Sequence, residues 1–303
     1  MAYATYFLYP LNRMSGSAGL IVLLSDAILN LYPILVKNVN VNLTTQLVAR
    51  LGTFSVLGLS LSSAAERYAA FTINPLQTIF YSALNLINIV ISYLSYKFLP
   101  AGNAIALFYT FPFWTVLAGW LFLGEKFSWS ILALLVVAAV GAWLVATNST
   151  IESYDGEVDE ETRSKNTFYG VLLGLASAIT ETLIYLIAKT PTSPSPMLTI
   201  LQLYPYAAAG MLGYGLYHQN IETHVSTGWL PLILFNVFVG FIGYALRFFA
   251  IPQMTVSMFS IISFIGLVSA FFWQILFTDD TPNKNAILGS ALITGSVAAL
   301  YHA

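Results

Sequence analysis

The 303-residue chain has no cysteine, which removes disulfides, cysteine-based metal centres and cysteine nucleophiles at once. Histidine is nearly as scarce. His218, His224 and His302 are too few and too scattered for a metal cluster. Charge is the third shortage: 8% of residues are charged, where a soluble chain carries about 25%. Eleven basic and 13 acidic residues cannot cover the surface of one or two water-soluble domains. A net charge of −2 leaves no basic surface for nucleic acid. There is no Gly-x-Ser-x-Gly elbow, no metal-ligand set and no Gly-rich loop followed by Lys-Ser/Thr. An enzyme, a chain using a cofactor and an ATP-driven pump are therefore not expected.

What is present is apolar. Hydrophobic residues make up 58% of the chain, with a mean hydropathy of +0.77. This composition predicts an all-α polytopic membrane protein. Ten apolar spans fit, at 18–36, 43–63, 75–97, 102–123, 128–146, 168–188, 196–217, 229–250, 254–276 and 285–302. Polar residues and helix punctuators mark the breaks, and Asn74-Pro75 and Ser195-Pro196 each read as a cap followed by a first helical proline. The first ten residues lack the positive region of a signal peptide, so 1–16 are expected to form a short tail.

The long polar segment is 147–167, with six acidic and two basic residues. It divides the chain into 17–146 and 168–303, with five spans each. An odd number of spans per half reverses the second half in the membrane, which predicts ten transmembrane helices in two inverted five-helix repeats. Weak internal matches recur in one order. Lys37 and Lys189 close spans 1 and 6, and Arg50 occupies the relative place of Gln202. Asn85, Ser92, Tyr93 and Tyr96 of span 3 register with Asn236, Gly243, Tyr244 and Arg247 of span 8.

Arg50-Leu51 in span 2, Pro112 and the run Gly124-Glu125-Lys126 at the close of span 4, and Ala250-Ile251-Pro252 before span 9 carry a resemblance. With the ten-span layout, the chain resembles the drug/metabolite transporter superfamily, and within it the EamA-type transporters. The second half departs from the pattern, with Asp279-Asp280 in place of Gly-Glu and Gly266 in place of the first half's Pro112. The resemblance implies alternating-access movement of amino acids, other small metabolites, nucleotide sugars or organic phosphates. It also implies cytosolic N- and C-termini. Positive charge does not decide orientation, because five Lys/Arg fall on each side. The acidic linker and two Asn-x-Thr sequons, at Asn42 and Asn148, weakly favour placing 147–167 outside a cell membrane or, in a eukaryote, an organelle membrane.

A polar side chain within a span must face a cavity or a partner, since exposure to lipid costs several kcal/mol. Asn85, Asn88, Ser92 and Tyr96 form one stripe along span 3, and Asn236, Gly240, Gly243 and Arg247 a similar stripe along span 8. The stripes read either as pathway walls or as helix–helix glue. Arg247 also lies near enough to the boundary to snorkel. Asp26, with Asn30 one turn on, reads as a proton-coupling or amine-binding acid, or as the fixed partner of Arg50. Arg50 pairs with Asp26 or Glu181, or offers its fork to a solute carboxylate or phosphate. Glu181 is a second acid suited to proton exchange. Gln202, Tyr93, Tyr109, Tyr244, Ser260 and Trp273 complete the candidate binding and coupling set.

The expected function is secondary active transport of a small polar metabolite such as an amino acid or another zwitterionic or anionic solute. The alternatives are a facilitative exchanger of organic phosphates or nucleotide sugars and, in another class, a small-solute channel. The expected partners are the solute, the lipid bilayer, and a proton or counter-solute, with the chain acting as a monomer or homodimer.

Overall fold

The computed structural model describes residues 16–31, 41–99, 107–126, 128–146, 160–189, 195–222, 229–277 and 284–300. Lys37, Asn103, the linker up to Asp159, and Asp279-Asp280 lie outside them. Among the described residues every regular element is helical. In chain order they are α1 (Gly16–Leu29), α2 (Leu43–Leu61), α3 (Ala64–Tyr68), α4 (Pro75–Phe98), α5 (Phe111–Phe122), α6 (Trp129–Ala146) and α7 (Glu160–Lys189). There follow α8 (Pro196–Leu203), α9 (Pro205–Tyr217), α10 (Trp229–Phe235), α11 (Ile242–Ala250), α12 (Val256–Ser263), α13 (Ile265–Phe277) and α14 (Lys284–Leu300). Among the described residues, three stretches are long and apolar enough to cross a membrane by length and composition: Pro75–Ser95, Lys165–Lys189 and Trp229–Gln253.

The helix boundaries follow local chemistry. Asn42 caps α2 by accepting the Thr45 N–H at 2.8 Å. Ser63 and Glu66 form a reciprocal capping box at α3. Ser195 caps α8, where Pro196 occupies the first turn at no hydrogen-bond cost. The span expected at 196–217 is two helices, because Pro205 has no N–H with which to continue α8. The span expected at 229–250 contains a π-helical turn, Asn236–Phe241, between α10 and α11. Gly124 of the Gly-Glu-Lys run adopts φ +65° just past α5, the left-handed position that ends many helices.

The chain forms two compact units, with boundaries inside α4, α7 and α12. One comprises residues 1–83 and 185–259, the other residues 84–184 and 260–303. In the first unit α1 packs on α11, and α2 packs on α8, α9 and the π turn. The α1–α11 crossing is close: the Ser25 hydroxyl donates to the Gly243 carbonyl at 2.9 Å, and Leu29 fills the space a side chain at 243 would need. In the second unit α14 lies along α6, with Gly141 against Gly289. A methyl group on Gly141 would lie 2.6 Å from the Gly289 carbonyl oxygen, so only glycine permits this approach. Large apolar side chains face outward throughout, among them Leu76, Phe122, Trp129 and Tyr217. That surface suits lipid rather than water.

Linkers in the first unit meet by ends. Asn42 donates through its backbone N–H to Glu222 and through its side chain to the Asn220 carbonyl, both at 2.8 Å. At the opposite end of α2, Glu66 engages Ser195, and the Lys189 ammonium donates to the carbonyls of Pro252 and Met254. Burial works to raise the Glu66 carboxyl. The hydroxyl of Ser195, the backbone and hydroxyl of Ser63 and the charge of Arg67 outweigh it, holding the group below its ordinary value of 4.5. A carboxylate so lowered contributes stability that is complete above pH 4.5 and lost as pH falls through its lowered value. Thermal stability of the purified protein is therefore expected to decline on acidification below pH 4.5, and less steeply in Glu66→Gln.

Candidate functional site

Asp26 lies in the second half of α1, 1% exposed, and its counter-charge is Arg247 of α11. Arg247 Nη2 donates to Asp26 Oδ1, and Nη1 donates to the Tyr185 hydroxyl at 2.7 Å. The pairing of Asp26 with Arg50 is thus corrected, as is the snorkelling of Arg247, which is 8% exposed. The physical reason is the α1–α11 crossing at Gly243, which seats Arg247 one turn further along against Asp26. Asn30 donates back to the Asp26 carbonyl at 2.8 Å and supports that turn of α1.

Arg50 enters the same unit from α2. Its Nη2 donates to the Tyr244 hydroxyl at 3.3 Å. Both guanidinium carbons lie over the Tyr244 ring, Arg50 at 5.4 Å and Arg247 at 5.6 Å from its centroid. Arg50 also covers Phe54 at 6.0 Å, and Arg247 covers Tyr185 at 5.8 Å. Phe54 stacks on Tyr204 at 4.5 Å. The result is an aromatic enclosure around two permanent cations, with one carboxylate bonded to one of them.

The other acid belongs to the second unit. Glu181 of α7 is 3% exposed and accepts the Asn88 amide of α4 at 2.7 Å. Asn88 Oδ1 accepts the Thr180 hydroxyl at 2.7 Å, which fixes the direction of the amide. Next to them Thr182 shares a hydroxyl contact with Thr115 of α5 at 3.1 Å and donates to the Phe111 carbonyl. Here Asn88 contacts Glu181 directly, and Ser92 donates to the Asn88 carbonyl at 2.6 Å. Asn85 is buried at 3%.

The remaining candidates are less concentrated. Asn236 is buried and donates to the Leu232 carbonyl one turn back at 2.9 Å. The Gln202 carbonyl accepts the Ser82 hydroxyl at 2.9 Å. Tyr109 stacks on Phe264, Ser260 is fully buried, Tyr93 is half-buried, and Trp273 meets Phe272 edge-on. Tyr96 lies on α4, and its side chain is outside the described set. Tyr185, which hydrogen-bonds Arg247, was not among the sequence candidates. Its one signal is its place a turn beyond Glu181. Phe54 had no signal at all, since an aromatic in an apolar span is unremarkable until a cation lies over it.

A family model described as the EamA-like transporter family matches residues 16–147 and again residues 168–301. The chain belongs to the EamA-like transporter family. The resemblance read from the Arg50-Leu51 and Gly124-Glu125-Lys126 motifs is borne out. Family members are integral membrane transporters rather than enzymes, and the apolar helices of this member agree. A solved structure titled only as the crystal structure of a protein is similar in fold, with a TM-score of 0.69 at 16% identity. It covers 94% of this chain and 98% of its own. Comparison with curated proteins finds no match.

Proposed function

We propose that this EamA-like protein is a secondary transporter of a small polar metabolite bearing a carboxylate, an amino acid or another zwitterionic or anionic solute. One observation carries the reading: Arg50 and Arg247 share the ring of Tyr244 inside an integral membrane transporter. Burying a guanidinium costs several kcal/mol unless it is compensated, and Asp26 compensates Arg247. A carboxylate brought to Arg50 receives charge-assisted donors beside the pair that Arg247 makes with Asp26. Asp26, Asn30 and Tyr185 hold Arg247 in place, while Phe54, Tyr204 and Tyr244 bound the solute's apolar part.

Two matches of one family model, on either side of the acidic linker, support ten spans in two inverted five-helix repeats. The linker contacts of the first unit support strict alternation, since 41–42 meets 220–222 at one end and 66 meets 195 at the other. The protein then works by alternating access in a cell membrane with both termini cytosolic. A second reading is a facilitative exchanger of an organic phosphate or nucleotide sugar. It draws on the same forks, which fit phosphate as well as carboxylate.

The test uses the full chain in proteoliposomes loaded with unlabelled amino acids. Entry of a radiolabelled amino-acid mixture is expected to saturate and to overshoot by counterflow. Competition by sugar phosphates but not by amino acids would transfer the assignment to the second reading. Flux that rises linearly without counterflow would make the protein a channel.

A further inference from the structure

The two oxygens of Asp26 are treated differently. Oδ1 accepts Arg247 Nη2, whereas Oδ2 is buried and, among the described residues, accepts from no donor. A carboxylate has acceptor positions on both oxygens, and leaving a buried one unmet is expensive in low dielectric. The donors that flank Asp26 are committed elsewhere. The Ser25 hydroxyl donates to the Gly243 carbonyl at 2.9 Å, and the Asn30 amide donates to the Asp26 carbonyl at 2.8 Å. Arg247 Nη1 donates to the Tyr185 hydroxyl at 2.7 Å. The first unit therefore keeps an open acceptor beside the two guanidinium groups that lie over the Tyr244 ring.

We infer that Asp26 Oδ2 receives an ammonium group of the solute, so that the transported class is zwitterionic rather than simply anionic. Charge selects among the donors that could meet this oxygen. A free amine or a metal ion would add a further cation beside Arg50 and Arg247. A simple carboxylate at Arg50 would leave Oδ2 unmet. A zwitterion gives its ammonium to Oδ2 and brings its own carboxylate for Arg50, so neither charge is stranded. Arg247 keeps its bond to Oδ1 throughout, and only hydrogen bonds form and break. Entry to so buried an oxygen belongs to alternating access, which opens a site to one side at a time. The inference rests on the transporter reading and narrows it to solutes that carry an ammonium group.

The test displaces the radiolabelled amino-acid mixture from the purified full chain with solutes that differ only in the ammonium group. Neutral L-amino acids are matched with the carboxylic acids that carry hydrogen in its place. The carboxylic acids are expected to displace the label about tenfold to a hundredfold more weakly, the loss of one charge-assisted hydrogen bond. Equal displacement by both sets leaves the carboxylate reading standing and overturns the ammonium site. In Asp26→Asn the preference is expected to shrink to about threefold or less, because the amide oxygen is neutral. Asp26→Glu is expected to recover part of it. An Asp26 with a structural role alone would weaken both sets alike, and an unchanged ratio in Asp26→Asn also overturns the inference. If that variant gives too little folded protein, the double change Asp26→Asn with Arg247→Gln carries the same ratio test without a stranded guanidinium. If sugar phosphates raise the melting temperature of the wild type and amino acids do not, the carboxylate reading has failed. Glucosamine 6-phosphate against glucose 6-phosphate then decides the ammonium site by the same ratio. A chain that binds none of these solutes overturns the reading and the inference together.

Discussion

Asp26→Asn is expected to cost about 3–5 kcal/mol of stability, the usual penalty for removing one member of a buried ion pair. The folded yield and the melting temperature of the purified protein report it. The carboxylate is 1% exposed and neutralises Arg247, itself 8% exposed, so the variant leaves a guanidinium in low dielectric with a phenol and an amide for company. Arg247→Gln alone strands the carboxylate and is expected to cost a similar amount. Combining the two removes both charges, and the pair is expected to be more stable than the sum of the single losses by about 1–3 kcal/mol. Simple additivity would mean the ion pair contributes nothing to the α1–α11 crossing. The partner in this cycle must be Arg247. A rescue of Asp26→Asn by Arg50→Gln instead would contradict the geometry described above.

Much of the fold was legible because hydropathy and helix punctuation are local. Asn42, Ser63, Ser195 and Pro196 begin helices for reasons contained within four residues, and the spans expected from 43, 75, 128 and 196 correspond to helices that start at Leu43, Pro75, Trp129 and Pro196. The break at Pro205 is masked in the sequence by an apolar run that continues on both sides. The π turn at Asn236–Phe241 left no trace. It lies between Asn236 and Arg247, so the stripe that a straight helix would carry through both residues is rotated on the way. Asn236 consequently bonds its own helix while Arg247 reaches Asp26.

The acids were found and their partners were not, for a related reason. A charge in an apolar span announces itself in composition, whereas the choice between Arg50 and Arg247 depends on which helices cross. Arg50 is nearer in sequence to Asp26. Arg247 is nearer in space because glycine at 243 lets α1 approach α11. Tyr185 shows the same limit within one helix. It is one turn from Glu181, yet the chain changes unit between them, so Tyr185 serves Arg247 and Glu181 serves Asn88. Periodicity places two residues on one face and says nothing of which neighbour that face meets.

Arg50→Lys separates recognition from architecture. Lysine keeps the positive charge but replaces a planar fork with a point charge, and it loses the ring contacts with Tyr244 at 5.4 Å and Phe54 at 6.0 Å. If Arg50 grips the solute carboxylate, the lost charge-assisted hydrogen bond is worth about 1.5–3 kcal/mol. The KM for counterflow is then expected to rise about tenfold to a hundredfold. The maximal rate should change little, because the contact is made equally throughout the bound cycle. Stability should fall by only about 0.5–2 kcal/mol, the share of the ring contacts. Removing the charge with Arg50→Met is expected to raise KM further, since Arg247 already gives one donor to Asp26 and another to Tyr185. A marked drop in melting temperature with KM unchanged would make Arg50 a brace between α2 and Tyr244. The solute's anion would then have to be held by Arg247, and by displacing Asp26 rather than by joining it.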